Sequence, residues 1–312
     1  TKKPCHIFNI RSKRPNPGLQ TQHLVGLRAL AELSQGQLEG DFLGSKEIKF
    51  FPGEIKKERL KIKIETAGAI TLILQSLIPV CLFAKNPVEI EFEGGATDTF
   101  FAPTLDYFQN VFLRILEKMG PKVEINVLKR GYYPSGEALV KVKVFPTKLK
   151  PINLTEKGNL KKISIISRAS ESLKERKVAE RQIQGAKEIL GKLNLPIETK
   201  IDYPKTTSPG SSICISCEYE NTFLGSDNLG KLGIPAEEIG RKCALQILEE
   251  EKLGGCVDRF LSDQILPYMA LSGEKCQVKI GKLTDHAKTN IWVIEKFFLE
   301  KFKIKENIVE WK

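Results

Sequence analysis

The 312-residue sequence predicts an α/β protein of the α+β kind, a large body of recurring strand–strand–helix units carrying a smaller α/β insert. Three observations carry this expectation. Segments of period-two alternation, the mark of half-buried strands, interleave with segments whose apolar residues recur every three to four positions, as on one face of a helix. Hydrophobic residues make up 41% of the chain and charged residues 28%, the balance of a globular chain and not of a disordered one. Charge is also unevenly spread. Residues 158–254 hold 15 basic and 14 acidic side chains, against 34 and 24 elsewhere, so nearly all of the net +11 lies outside that block. The expected organisation is a large domain at 1–157 and 255–312 with an inserted small domain at 158–254.

Taken in order, Cys5–Ile10 reads as a strand and Pro15 to Gly18 as a turn. Leu24, Leu27, Leu30 and Leu33 then mark one face of a helix over 19–33. Alternation over 47–51 and 60–65 predicts two strands around Pro52-Gly53. The stretch 69–82 is apolar nearly all round, as a buried helix is. Val88–Phe92 reads as a strand stopped at Gly94-Gly95, and 104–119 as a helix ended by Gly120-Pro121. Segments 123–128 and 139–145 form a hairpin-like pair around Arg130 to Gly136. The block 158–254 offers strands at 163–166 and 212–220 and helices at 177–190 and 239–251. Two further core-facing helices are expected at 259–271 and 289–302.

The longest apolar stretch, 69–84, is shorter than the ~20 residues a membrane span needs and contains Gln75 and Pro79. With no charged-then-apolar leader, the expectation is a soluble, cytoplasmic protein. Seven cysteines in a chain of this length, mostly beside aliphatic residues, read as buried free thiols of a reducing compartment. Cys214 and Cys217 have the spacing of a metal or redox pair. They lie inside an alternating strand, however, with no second pair to complete a zinc site, so strand packing is the expected role.

The phosphate-binding motif G-x-x-x-x-G-K-S/T is absent, with Gly40 to Lys46 a near miss, and no G-x-G-x-x-G follows a strand. Other segments carry the chemistry. Arg11 to His23 gathers Arg11, Lys13 and Arg14 at a strand end just ahead of a helix, where guanidinium groups and a helix N-terminus together favour phosphate. Glu93 to Tyr107 is a polar, Gly-containing loop entering a helix. His286 stands before Thr289-Asn290 at an expected helix start, where the dipole disfavours imidazolium and draws in an anion, conditions that suit a histidine attacking phosphorus; on the residues alone a capping or partly buried histidine is the favoured alternative. His23 reads as structural or as a phosphate contact, and His6 as a packing residue.

Further residues complete an ordered series: Asn9 to Arg11, Pro17 to Leu19 and Gln22 to Leu24; Thr66 to Gly68, Leu74-Gln75 and Pro79; Gly94-Gly95, Thr97-Asp98, Ala102-Pro103 and Asp106-Tyr107; Arg130 to Pro134; Leu261 to Gln264 with Leu266-Pro267; and His286 with Thr289 to Ile291. This series resembles the RNA 3'-terminal phosphate cyclase family over nearly the whole chain. The resemblance implies a body of ββα-type units with an α/β insert, and an ATP-dependent ligase-class enzyme of RNA processing that acts on RNA 3'-phosphate ends. It implies adenylylation of His286 as the nucleophile, then transfer of AMP to the RNA 3'-phosphate. Attack by the 2'-hydroxyl would then form the 2',3'-cyclic phosphate. Asp263 would hold the ribose, Pro103 and Phe260 would pack on the adenine, and Gln264 would lie beside them. Arg11, Arg14, Gln22 and Gln75 would face phosphates, and Mg2+ or Mn2+ would accompany ATP. Phe260 stands where the family commonly has tyrosine, and 135–138 is poorer in glycine than the family's stretch. The resemblance also leads one to expect the family's opening strand and Gly-rich segment upstream of Thr1. A non-catalytic cyclase-like protein of ribosome biogenesis is the competing reading.

Overall fold

The computed structural model describes residues 1–193 and 195–312. The chain divides into two compact units, one formed by residues 1–102 and 121–148, the other by 103–120 and 149–312.

In the first unit, β1 (Cys5–Ile7), β2 (Gln37–Glu39) and β3 (Ile48–Phe51) form an antiparallel sheet ordered β1-β3-β2. Helix α1 (Thr21–Ser34) lies between β1 and β2 in sequence. A second sheet has the order β4-β5-β7-β6, from β4 (Arg59–Ala69), β5 (Val88–Ala96), β6 (Lys122–Lys129) and β7 (Leu139–Phe145). β4 and β5 are parallel, as strands joined by a crossover helix must be, and that helix is α2 (Ile70–Cys81). Alternation sends Leu60, Ile62, Ile64, Ile90, Phe92, Val140 and Val142 to the buried side. α1 packs on β4 and on α2, whose Ile70, Ile73, Leu74, Leu77 and Ile78 are fully enclosed. The opposite face carries Lys and Glu in cross-strand pairs, among them Lys143–Glu89 at 3.0 Å and Arg59–Glu89 at 3.4 Å.

The second unit opens with α3 (Leu105–Tyr107), a π turn at Phe108–Phe112 and α4 (Leu113–Lys118). A small sheet ordered β14-β15-β13-β8 joins β8 (Asn153–Leu154), β13 (Cys276–Lys279), β14 (Phe302–Lys305) and β15 (Ile308–Trp311). Residues 158–254 supply a separate sheet, β10-β9-β11-β12, from β9 (Leu160–Ala169), β10 (Ile197–Asp202), β11 (Ser211–Tyr219) and β12 (Phe223–Leu229). Helices α5 (Val178–Leu190) and α6 (Ala236–Leu253) close over it, and Ile163, Ile165, Ile183, Ile213, Ile215 and Ile247 share their core. The two helices approach so closely at Gly240 that a Cβ there would lie 1.9 Å from the Gln182 carbonyl oxygen. Three short helices complete the unit, α7 (Leu261–Gln264), α8 (Leu266–Leu271) and α9 (Asp285–Ile294). Among the described residues no helix is long and apolar enough to cross a membrane.

Several expected elements shift for identifiable reasons. The single helix expected over 259–271 is two, because Pro267 supplies no N–H and disfavours helical geometry just before it. The last helix starts earlier than its apolar pattern suggests, since Thr284 caps it by accepting the Ala287 N–H at 3.1 Å. It also ends earlier, because Phe298 and Phe302 pack their rings on Trp311, at 5.5 and 4.6 Å between centroids, and Phe302 opens β14. β5 runs on through Gly94-Gly95 to Ala96. His6 is exposed and faces Glu47 at 3.4 Å, so it does not pack in a core. Cys214 and Cys217 are buried free thiols within β11, and burial pushes Cys217 up to about 12, which leaves its thiol inert.

One ion pair within the second unit is buried. Arg168 on β9 holds Asp106 through two bonds of 2.8 and 3.2 Å and reaches Asp202 at 2.5 Å. Removing one partner of such a pair strands the other charge, so Asp106→Ala is expected to cost about 3–5 kcal/mol. Chemical denaturation of both proteins measures this directly, and a loss below 1 kcal/mol would mean the pair contributes no more than a surface bridge.

Candidate active site

The candidate residues fall into two groups, one in each unit. In the first unit, β1 ends at Ile7 and the basic loop 8–18 follows. The loop is tied back by Ile10 N–H to Lys46 O at 2.9 Å and Gly18 N–H to Ile10 O at 2.8 Å. Gly18 has φ +80, and a Cβ there would fall 2.1 Å from the Gly44 carbonyl oxygen, so only glycine closes this loop. Asn9 and Arg11 both take left-handed conformations, φ +56 and +52, unusual for non-glycine residues. Arg11 is half-buried, and its Nε is buried without a hydrogen-bond partner among the described residues. A buried guanidinium nitrogen left in this way fits an anion that would complete it.

His23 lies in the first turn of α1, and its Nδ1 accepts the Gln20 N–H at 3.0 Å. That bond places the ring proton on Nε2. Burial and then the nearby Arg11 charge lower the His23 pKa, so the ring stays neutral and offers an N–H. Gln22 precedes it, half-buried, with its side-chain oxygen 3.5 Å from the Ala69 N–H, at the outer limit of a hydrogen bond. Arg14 is exposed, and Gln75 is half-buried on α2. Of these, Arg11 is near enough to His23 for its charge to act on the ring, and among the described residues no contact joins Arg14 or Gln75 to them.

The loop after β5 is tied internally. Asp98 accepts from Arg130 at 3.0 Å and from the Thr97 hydroxyl at 2.6 Å, all three being buried. In the sequence series Arg130 and Asp98 mark this ion pair, which fixes the loop's shape.

In the second unit, Phe260, Asp263 and Gln264 share the helical turn that becomes α7, and His286 is the second residue of α9. The Asn290 side chain donates to the Asp263 carbonyl at 3.0 Å, fastening α9 to that turn. Burial raises the Asp263 carboxyl pKa, and His286 is close enough to pull it back down. His286 itself is exposed, and Phe260 is 48% exposed, so an imidazole and an aromatic face are both open to solvent. The Gln264 amide donates to the Phe260 carbonyl at 2.9 Å, while its Oε1 is buried and unpartnered among the described residues. Pro103 is half-buried, next to Thr104, whose N–H donates to Asp227 at 2.6 Å.

Two residues hold this turn, Asp258, which is absent from the ordered series, and Tyr107, which stands in it. Asp258 is fully buried and accepts from the Phe260 and Leu261 N–H groups at 3.0 and 2.9 Å, from Gly225 N–H at 3.0 Å, and from the Tyr107 hydroxyl at 2.7 Å. The Tyr107 phenol is held protonated by burial and by Asp258. An Asp just before an apolar helical turn is a capping signal, and that pattern in Asp258 to Leu261 was legible. Among the described residues no three His, Cys, Asp or Glu side chains gather as a cation cage. Surface grooves of about 500 and about 730 Å3, lined around 151–156 and along β4 to β7, include none of the candidate residues.

Comparison with known proteins gives this geometry its context. The family model described as RNA 3'-terminal phosphate cyclase matches residues 1–304. The chain is 44% identical to the RNA 3'-terminal phosphate cyclase of Pyrococcus furiosus over 99% of its own length and 90% of that protein's. It is 42% identical to the one from Pyrococcus abyssi, covering 97% and 88%, and 40% identical to that from Thermococcus kodakarensis, covering 99% and 88%. The chain belongs to the RNA 3'-terminal phosphate cyclase family. Within this cyclase fold, the Asp258–Tyr107 pair explains how Phe260 and Asp263 are presented on so short a helix. α7 has four residues and draws its first hydrogen bonds from a buried carboxylate.

Burial pushes the Asp258 pKa up to about 6, against the opposing pull of its hydrogen bonds. A raised folded-state pKa gives a contribution that is complete below the ordinary value of 3.8 and is lost as pH rises through about 6. Asp258→Asn places an amide where N–H donors converge and is expected to cost about 1–3 kcal/mol at pH 7. The gap to the parent should widen between pH 7 and pH 4. Paired denaturant melts at both pH values test this; a constant gap would contradict the raised pKa.

Proposed function

We propose that this cyclase converts an RNA 3'-terminal phosphate to a 2',3'-cyclic phosphate at the expense of ATP, through a covalent histidine–AMP intermediate on His286. The observation that carries this reading is the exposed His286 in the first turn of α9, joined to the Phe260–Gln264 turn through Asn290. In the first step a ring nitrogen of His286 bonds to the α-phosphorus as the bond to the departing pyrophosphate breaks. An oxygen of the RNA 3'-phosphate then attacks the same phosphorus, the P–N bond breaks and the imidazole is restored. The 2'-hydroxyl finally attacks the activated 3'-phosphorus, losing its proton as AMP departs, a step that requires RNA. Such transfers depend on positioning and on positive charge more than on proton shuttling.

The chain's own groups would divide the work. Asp263 would bind the ribose hydroxyls, Phe260 and Pro103 would pack on the adenine, and the free Gln264 oxygen would accept a hydrogen bond from the nucleotide. Arg11, with its unpartnered Nε, would take a phosphate oxygen, together with Arg14, Gln22 and Gln75. Mg2+ or Mn2+ would arrive on the ATP phosphates with most of its waters and supply charge neutralisation. We further read 158–254 as an inserted small domain of the large catalytic body. The seven cysteines are free thiols, six of them buried, which suits a reducing compartment such as the cytoplasm.

Incubation with α-labelled ATP and Mg2+, followed by denaturing electrophoresis, tests the covalent step. Acid-labile, alkali-stable label should appear on the protein and vanish in His286→Ala. Asp263→Ala and Arg11→Ala should each lower labelling efficiency about 10- to 100-fold, the loss of a charge-assisted hydrogen bond. A protein that takes up no label would sink the enzymatic reading and favour the non-catalytic one.

A further inference from the structure

Helix α9 carries more than His286. Ala287 is its one fully buried residue, so most of its surface faces solvent. On that surface stands Trp292, 62% exposed. Lys288 lies one turn before it, and Lys296, just past the helix, places its ammonium 4.9 Å from the centre of the indole ring. Of the acidic neighbours, Glu295 is engaged and Asp285 is weakly paired. Asp285 pairs with Lys288 at 3.0 Å, and Glu295 accepts the Phe302 N–H at 2.9 Å and faces Lys301 at 3.7 Å. Asp285 and Lys288 are both exposed, so their pairing is weak and leaves Lys288 available. Across residues 282–305 six lysines face three acidic residues.

The exposed indole thus stands between two lysines, one of them with its ammonium over the ring. It matches the pairing that binds single-stranded nucleic acid, an aromatic face for a base and cations for the flanking phosphates. Position adds to this. Trp292 lies six positions after His286, about 9 Å along the axis at 1.5 Å per residue and about 120° around it. That distance spans two to three stacked nucleotides at about 3.4 Å each.

We propose that Trp292, flanked by Lys288 and Lys296, is a stacking platform for a base of the single-stranded RNA, two to three nucleotides before its 3' end. The proposal rests on the RNA-end reading of His286, and it names residues that bind the RNA strand apart from its terminal phosphate. Stacking is indifferent to base identity, so the platform favours unpaired ends over any particular sequence.

Intrinsic fluorescence reads this directly, because the chain has two tryptophans and Trp311 is 1% exposed. Titration with a single-stranded 3'-phosphorylated oligouridylate, without ATP, should quench the exposed indole. Trp292→Leu should bind a fluorescein-labelled form of the same RNA about 5- to 100-fold more weakly, and Trp292→Phe should recover most of that loss. Unchanged emission from Trp311 confirms that each variant is folded. An abasic residue at the third position from the end should weaken the parent and leave Trp292→Leu unaffected. Equal RNA affinity for the parent and Trp292→Leu overturns the proposal. So does a change in Trp292 emission that follows protein concentration instead of RNA, which would make the face a contact between copies. Because binding is measured without ATP, a protein that takes up no label yet shows the quench fails the cyclase reading and keeps the platform; label without quench does the reverse.

Discussion

The buried carboxylate of Asp258 is the constraint on which the candidate site in the second unit depends. A four-residue helix cannot sustain itself in water, since nucleation costs more than one turn of hydrogen bonds returns. Asp258 removes that difficulty by accepting the Phe260 and Leu261 N–H groups, the first unsatisfied donors of the turn. Its remaining capacity is filled by Gly225 on β12 and Tyr107 on α3, so one side chain fastens the turn to a sheet and to a helix. The desolvation of the carboxylate is offset by these bonds only while all of them are made. Phe260 and Asp263 are therefore presented by a rigid support although their own side chains remain partly open.

The first unit solves a different problem, how to keep an arginine beside a histidine without losing either to water or to a carboxylate. The left-handed backbone at Asn9 and Arg11 and the tight closure at Gly18 hold the guanidinium partly inside. His23 is kept neutral by burial and by Arg11, so the two groups do not repel as paired cations would. Both then act as donors, and neither competes with the other for a proton.

The elements with strong periodicity were legible. Alternation in β6 and β7 and the apolar run of α2 are local properties, and local patterns survive into the fold. The segment 289–302 reads as one helix because Phe298 and Phe302 repeat at a helical spacing, yet both serve Trp311, a residue whose location the sequence does not disclose. The family resemblance placed His286, Asp263 and Arg11 among the candidate residues, but it could not reveal what holds them. Tyr107 and Asp258 are 151 positions apart, and no spacing rule connects them. Asp106 and Arg130 stood out in the series as motif residues, and their physical role is to pair with Arg168 and Asp98.

The exposed face of the β4-β5-β7-β6 sheet has a kinetic meaning. Its lysines and glutamates neutralise one another strand by strand, as Lys143 and Arg59 do at Glu89 and Lys141 does at Glu91. Such a face has charges but little field beyond a Debye length of about 8 Å. A polyanion diffusing near it is neither captured nor repelled, so its dwell time there is short. The unpaired positive charge elsewhere on the chain then competes with fewer decoys. An electrically quiet face of this kind offers a polyanion little to hold, so charge-driven contacts are left to other surfaces of the chain.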